Sequence, residues 1–236
     1  MVKVDACGRA AKRGNNHRLV GELLSTLERL GLRDNTVVVF SADHGDMLAE
    51  KNMVQKRSFY EMSSRVPMIV RLPGGAGAGT RCAGPVNLVD LAPTLLELAG
   101  VQEWLPMDGA SLLPCISGRE TGRVTFSESH TNGVYEPCFM VRRADCKYVH
   151  IRNEQGQLFD LSADPGEWHN LCGEPAYAQL EAELRALILD RFDPDAVEEE
   201  LCASLERRTL LKAANEANDL HWDYSPFFDA TQQYCR

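Results

Sequence analysis

The sequence predicts an α/β domain followed by a small antiparallel β-sheet and a helical tail. Three observations support this. Apolar residues at helical spacing precede a β-branched run, Thr36-Val37-Val38-Val39-Phe40. After about Gly118 the pattern shifts to short strand-like segments. Beyond those segments, apolar residues return to helical spacing.

Leu19, Val20, Leu23, Leu24, Leu27 and Leu30 define the first helix, and Gly31 sits where a left-handed C-terminal cap belongs. Thr36 to Phe40 reads as a strand, and its unbroken apolar character predicts cover on both faces, as in a parallel sheet. The turn Asp43-His44-Gly45 follows directly. A second buried strand is expected at Pro67 to Leu72. Gly74 to Gly79 lacks the Gly-Lys-Ser/Thr ending of a phosphate loop and reads as a connection. Asp90 is placed to cap a helix with Pro93 in its first turn, ending at Gly100.

Val124 to Ser127, Cys138 to Arg143, Lys147 to Ile151 and Leu158 to Leu161 predict four short strands, with a hairpin turn at Arg143-Ala144-Asp145. A helix follows on Leu180, Leu184, Leu187 and Ile188, and another spans roughly Asp195 to Asn215. His221 to Arg236 is rich in aromatic residues and has no clear period. The expected organisation is 1–118 as part of the α/β domain, 119–194 as an antiparallel subdomain with a helix, and 195–236 as a helical and aromatic tail. No internal repeat is visible.

The 236 residues carry 25 Lys and Arg against 34 Asp and Glu, a formal charge of −9. That acidic balance argues against nucleic acid as the main partner. No apolar run approaches the roughly 18 residues of a membrane span, and Met1 to Asn16 has no signal-peptide apolar core. The eight cysteines form no C-x-x-C pair and have no histidine at zinc-finger spacing. They read as small buried thiols of a reducing, cytoplasmic setting, with a disulfide framework as the alternative.

Asp43 and His44 sit at a strand end, where ligands gather in open parallel sheets. Asp offers a hard oxygen and His a nitrogen, so a turn at Gly45 can aim both at one ion. The competing reading is a turn cap and an ordinary surface histidine. Downstream, Lys56 is a point charge suited to a sulfate or phosphate oxygen, and Arg65 can pair with Glu61 to hold that loop. Each taken singly also reads as a surface charge.

Taken in order, these segments resemble the sulfatase family. Thr36 to Leu48 looks like its strand and metal-binding turn, and Lys56, Glu61, Arg65, Val66 and Pro67 match the segment after it. Asp90-Leu91-Ala92-Pro93-Thr94-Leu95-Leu96, Asp108-Gly109-Ala110-Ser111-Leu112-Leu113, Leu158-Phe159-Asp160-Leu161, Asp164-Pro165-Gly166-Glu167 and Asn170-Leu171 are further landmarks. The resemblance implies an alkaline-phosphatase-like fold and sulfate-ester hydrolysis. Asp43 and His44 would be two ligands of a divalent metal, usually calcium, and Lys56 would bind the sulfate. The metal would polarise the sulfate oxygens and steady the nucleophile.

The tail narrows the resemblance to choline-sulfatases, through His221-Trp222-Asp223-Tyr224-Ser225-Pro226-Phe227-Phe228 and Tyr234-Cys235-Arg236. In that subfamily the tail helps enclose choline and joins subunits, which implies a homo-oligomer. Trp222 can face a quaternary ammonium and Asp223 can balance its charge; an aromatic anchor docked on its own core is the equal alternative. Glu128, His130 and Asn132 lie in a region that lines the substrate pocket in relatives.

The family's nucleophile is a formylglycine made from Cys or Ser in a C/S-x-P-x-R type motif. No Cys or Ser here has Pro at +2 and Arg at +4; Cys115 and Cys138 have only the Arg. The family's N-terminal metal carboxylates are not recognisable either. The expectation is a sequence that begins inside the large domain, with half of a metal site, and a chain inactive by itself. Two alternatives remain: a phosphonate or phosphodiester hydrolase of the same superfamily, and a non-catalytic remnant or assembly module.

Overall fold

The computed structural model describes residues 9–102, 105–119, 122–130 and 134–220. Helix α1 spans Arg9–Arg29 and ends where the glycine predicts. Gly31 takes φ 66°, and the N–H groups of Gly31 and Leu32 return to the carbonyls of Glu28 and Leu27. The chain then enters strand β1 (Val38–Ser41), passes through a two-stranded ribbon of β2 (Met47–Leu48) and β3 (Val54–Gln55), makes the single-turn helix α2 (Glu61–Ser64), and returns as β4 (Met68–Arg71).

β1 and β4 pair antiparallel, with Phe40 opposite Ile69. The expected burial on both faces does not hold: Phe40 is 41 % exposed and Ile69 49 %. The sequence suggested a parallel strand, but an antiparallel pair can leave one face open. Directly opposed residues share a face, so Phe40 and Ile69 form one exposed apolar patch on the ribbon. The apolar stripe of α1 is likewise uncovered at Leu19, Leu23 and Leu24.

Helix α3 (Leu91–Ala99) ends on left-handed Gly100 as expected, but Asp90 does not cap it. Asn87 is the cap, on the short 3-10 turn before α3, where its side chain accepts the Leu88 N–H at 2.7 Å. The Asp90 carboxylate, 3 % exposed as a residue, instead accepts the N–H groups of Asn87 (3.0 Å) and Ala110 (2.9 Å). It also lies 3.4 Å from Arg123. Thr94 Oγ accepts the Leu112 N–H at 2.8 Å, so the segments around 90 and 110 are sewn together. Gly109 permits this, since a Cβ there would stand 2.1 Å from the Val89 carbonyl oxygen. Helix α4 (Leu113–Ile116) follows.

The second half is a four-stranded antiparallel sheet, β5 (Thr125–Ser129), β6 (Cys138–Arg143), β7 (Cys146–Ile151) and β8 (Gln157–Asp160), in that spatial order. Arg143 pairs with Cys146, so the β6–β7 hairpin turns on Ala144, at φ 53°, and Asp145. Alternation gives the sheet two different faces. Phe139, Val141, Tyr148 and Leu158 point at helix α5 (Ala178–Arg191) and enclose Leu184 and Ile188, four residues apart on one stripe. The opposite face carries Arg142 and Lys147, paired across the strands, with Phe159 beside them.

Helix α6 (Pro194–Ala217) starts on Asp193, whose carboxylate accepts the N–H groups of Asp195 and Ala196 at 3.1 Å. Only its beginning touches the core, through Val197, and Leu205, Leu210 and Leu211 are exposed. Among the described residues no helix is long and apolar enough to cross a membrane.

Candidate functional site

The turn after β1 is shaped by how closely it lies on α2. The N–H of Gly45 donates to Ser63 O at 2.7 Å and that of Asp46 to Met62 O at 2.8 Å. A Cβ on Gly45 would stand 2.1 Å from Met62 O, so no other residue fits this approach without backbone movement. β1 itself is tied at its end by Ser41 Oγ, which donates to Pro67 O at 2.8 Å.

On that turn Asp43 and His44 meet. Asp43 Oδ1 accepts the His44 backbone N–H at 3.0 Å, and Asp43 Oδ2 lies 3.2 Å from His44 Nε2. His44 Nδ1 sits 2.7 Å from Gly45 O. A carbonyl only accepts, so Nδ1 carries the proton and, in the neutral ring, Nε2 presents a bare lone pair toward the carboxylate. Two lone pairs facing each other at this range are favourable when a cation lies between them. Adjacent ligands of an ion with bonds of roughly 2.3 Å stand about this far apart. The pair therefore fits two neighbouring positions of a divalent metal shell. Among the described residues no group of three or more such donors forms, so these two are the ligands the geometry offers.

The Asp43 carboxyl is held below its ordinary value, chiefly by the His44 N–H; a charge on His44, present only when its ring is protonated, and more weakly that of Lys56 add to this. Lys56 thus belongs to the same electrostatic neighbourhood. Its side chain is exposed, while its carbonyl accepts Ser58 N–H at 2.9 Å and the Ser63 hydroxyl, which closes the loop from Lys56 onto α2.

Glu61 opens α2. The expected partner Arg65 is 3.9 Å away with a side chain 73 % exposed. Closer partners come from the far sheet: Arg142 Nη1 at 2.9 Å and Lys147 Nζ at 3.1 Å. Lys147 also pairs with Glu167, and its ammonium donates to Phe59 O at 2.8 Å. Glu167 is buried at φ 56°, and its carboxylate accepts the Glu61 N–H at 2.7 Å. Its carbonyl accepts from Lys51, whose ammonium lies 4.6 Å from the Tyr60 ring and 4.1 Å from the Trp168 ring. Sequence reasoning named Glu61 but missed Lys147, Arg142 and the partners of Glu167. The visible signal was two basic residues inside otherwise apolar strand segments, where a charge needs a partner.

Trp222, Asp223 and Asn132 lie outside the described residues. His130 Nε2 lies 2.9 Å from Glu128, and its ring packs on Phe139 with centroids 5.0 Å apart. Cys115 and Cys138, the cysteines with an arginine four residues on, are buried, and burial followed by the Glu136 charge pushes the Cys138 thiol up. Among the described residues, Cys138, Cys146, Cys172 and Cys202 stand as free thiols.

The chain is similar to known proteins over much of its length. Residues 49–192 match the family model of the N-sulphoglucosamine sulphohydrolase C-terminal region. The chain is 35 % identical to a choline-sulfatase of Rhizobium meliloti, over 92 % of this chain and 43 % of that protein. It is 32 % identical to an N-acetylglucosamine-6-O-sulfatase of Bacteroides thetaiotaomicron, over 72 % of this chain and 32 % of that protein. It thus spans less than half the length of either relative. Among solved structures, one in complex with its substrate D-glucosamine-2-N,6-O-disulfate superposes at TM-score 0.68 and 31 % identity, covering 75 % of this chain and 39 % of that one. A phosphonate monoester hydrolase of Agrobacterium radiobacter superposes at TM-score 0.65 and 26 % identity, covering 72 % and 37 %.

Proposed function

This chain belongs to the sulfatase family, and from that premise we propose that it serves sulfate-ester hydrolysis, carrying two metal ligands and a sulfate-binding lysine, with choline sulfate as the substrate. The observation that supports this most is the pairing of Asp43 and His44 on a turn fixed to the same helix that closes the Lys56 loop. A divalent ion, calcium by family likeness, would polarise the sulfate oxygens when held there. Asp43 and His44 would orient it, and the Lys56 ammonium would offset charge gathering on the sulfuryl group. The choline assignment is supported by the extent of the choline-sulfatase match. A match over 92 % of the chain runs beyond residue 192 into α6, outside the segment the family model covers.

Formylglycine would be the nucleophile, and no Cys or Ser of these 236 residues lies in its motif. The purified chain alone is therefore expected to hydrolyse no sulfate ester, and metal-dependent turnover by it would overturn that expectation. The reading itself is tested by joining the chain to the N-terminal part of a sulfatase that carries the C/S-x-P-x-R motif. Calcium-dependent hydrolysis of choline sulfate, lost in Lys56→Ala, is the expected result. Preference for a phosphonate monoester would favour the second reading, which the superposition on the phosphonate monoester hydrolase supports.

A homo-oligomer joined through the tail is the proposed assembly, supported by the exposed Leu205, Leu210 and Leu211 of α6. An assembly role without catalysis is the alternative from another class. Size-exclusion of the chain, of the chain without residues after Leu220 and of a Leu210→Glu, Leu211→Glu variant tests the contact, and an elution volume unchanged in both would remove it. The cytoplasm is the proposed setting, supported by the free thiols of Cys138, Cys146, Cys172 and Cys202.

A further inference from the structure

The ionic cluster on the second face of the sheet is buried. The side chains of Lys147 and Glu167 are 1 % and 3 % exposed, and their partners are all within the chain. The arrangement nevertheless is demanding. Arg142 and Lys147 stand directly opposite across β6 and β7, a like-charge pair that disfavours the sheet on its own. Glu61 and Glu167 neutralise it, one from α2 and one from the loop after β8. A helix of one turn is not self-sustaining, and the residue before α2, Tyr60, offers no side-chain cap. The Glu167 carboxylate takes that role from a distance by accepting the Glu61 N–H.

We propose that Lys147 and Glu167 are positioning residues for the metal- and sulfate-binding turn. They hold Glu61 and the start of α2. The carbonyls of Met62 and Ser63 at the other end of α2 hold Gly45 and Asp46, and Ser63 Oγ holds the Lys56 carbonyl. Asp43, His44 and Lys56 are thereby referenced to a rigid sheet rather than to their own loops. Lys51, held by the Glu167 carbonyl between Tyr60 and Trp168, fixes the segment between the turn and Lys56 from the other side. What the positioned residues bind rests on the sulfatase reading; that they are positioned in this way does not.

The test uses the full chain, with Glu167→Gln and Lys147→Met as variants, the first nearly isosteric in case the second fails to fold. Amide hydrogen exchange reads the positioning directly. The Gly45 and Asp46 amides are expected to exchange at least about tenfold faster, while Phe139, Val141 and Tyr148 in the sheet stay within about twofold. Unchanged protection at Gly45 and Asp46, or an equal rise throughout the sheet, overturns the proposal. Calcium-dependent binding of inorganic sulfate reads the consequence. Glu167→Gln is expected to weaken it about tenfold, and unchanged binding would overturn the proposal. If Lys56→Ala leaves sulfate binding intact while the exchange result holds, the sulfate reading falls and the positioning stands.

Discussion

The Glu167 carboxylate accepts the backbone N–H of Glu61 at 2.7 Å, across 106 positions of sequence, and the two glutamates share the buried ammonium of Lys147. Two like charges are thus brought together by one cation, with Arg142 balancing the remaining charge. Such a cluster is specific rather than strongly stabilising, since desolvation offsets much of the attraction. Its loss in part is a different matter.

Lys147→Met leaves two carboxylates facing each other with the central cation gone. Removing one partner of a buried pair costs roughly 3–5 kcal/mol. Urea denaturation should show the midpoint fall accordingly. Arg65→Ala, at the exposed 3.9 Å contact, should change stability by no more than about 0.5 kcal/mol.

Gly45→Ala forces a methyl group onto Met62 O and should cost about 1–3 kcal/mol together with weakened calcium binding. Gly21→Ala, in α1 with nothing within 4 Å of the added Cβ, should instead stabilise by roughly 0.5–1 kcal/mol. Thermal melts of the two variants should therefore move in opposite directions.

Asp43→Asn should weaken calcium binding by roughly tenfold or more, as measured by titration calorimetry. The Asp43 carboxyl is held below 3.8 by the His44 N–H, so its ionised form contributes above that value and is lost as pH falls through the lower folded value. Variation of binding at milder acidity should therefore survive in Asp43→Asn.

Alkaline pH should destabilise the sheet. Burial pushes the Tyr148 hydroxyl up to about 12 from 10.0, and burial with the Glu181 hydrogen bond pushes the Cys172 thiol up to about 11 from 9.0. Both groups keep their protons longer when folded, so the unfolded chain binds fewer protons in these windows and stability declines with rising pH. The stability each confers is intact below 9.0 for Cys172 and 10.0 for Tyr148, and is lost through about 11 and 12. Cys172→Ser should flatten the lower part of the decline in a pH series of melts.

Leu184→Ala, at a position with no exposure, should cost about 2–5 kcal/mol, whereas Leu211→Ala on exposed α6 should change stability of the isolated chain by no more than about 0.5 kcal/mol.

Local patterns proved legible where a short stretch decides the outcome. Gly31 and Gly100 stop helices because a left-handed cap needs only that residue, and the four strands of the second sheet follow from alternation and turn residues. The proximity of Asp43 and His44 was legible because the two side chains are adjacent in sequence. What sequence could not supply was long-range partnership. The β-branched run before the turn is compatible with either strand direction, and only pairing with β4 makes it antiparallel and half-open. Asp90 has the look of a helix cap, yet Ala110 and Arg123 compete for its oxygens from segments far along the chain. Arg65 was the nearest basic residue to Glu61 in sequence, while Arg142 and Lys147 are nearest in space.

The span between Glu61 and Glu167 also sets an order of events during synthesis. Closing a contact over 106 residues carries a loop-entropy cost that local turns do not. The turn bearing Asp43 and His44 leaves the ribosome long before Lys147 and Glu167 exist to brace it. On this account a nascent chain carries those two side chains on a loosely held loop until the segment after the last strand of the sheet has emerged and docked.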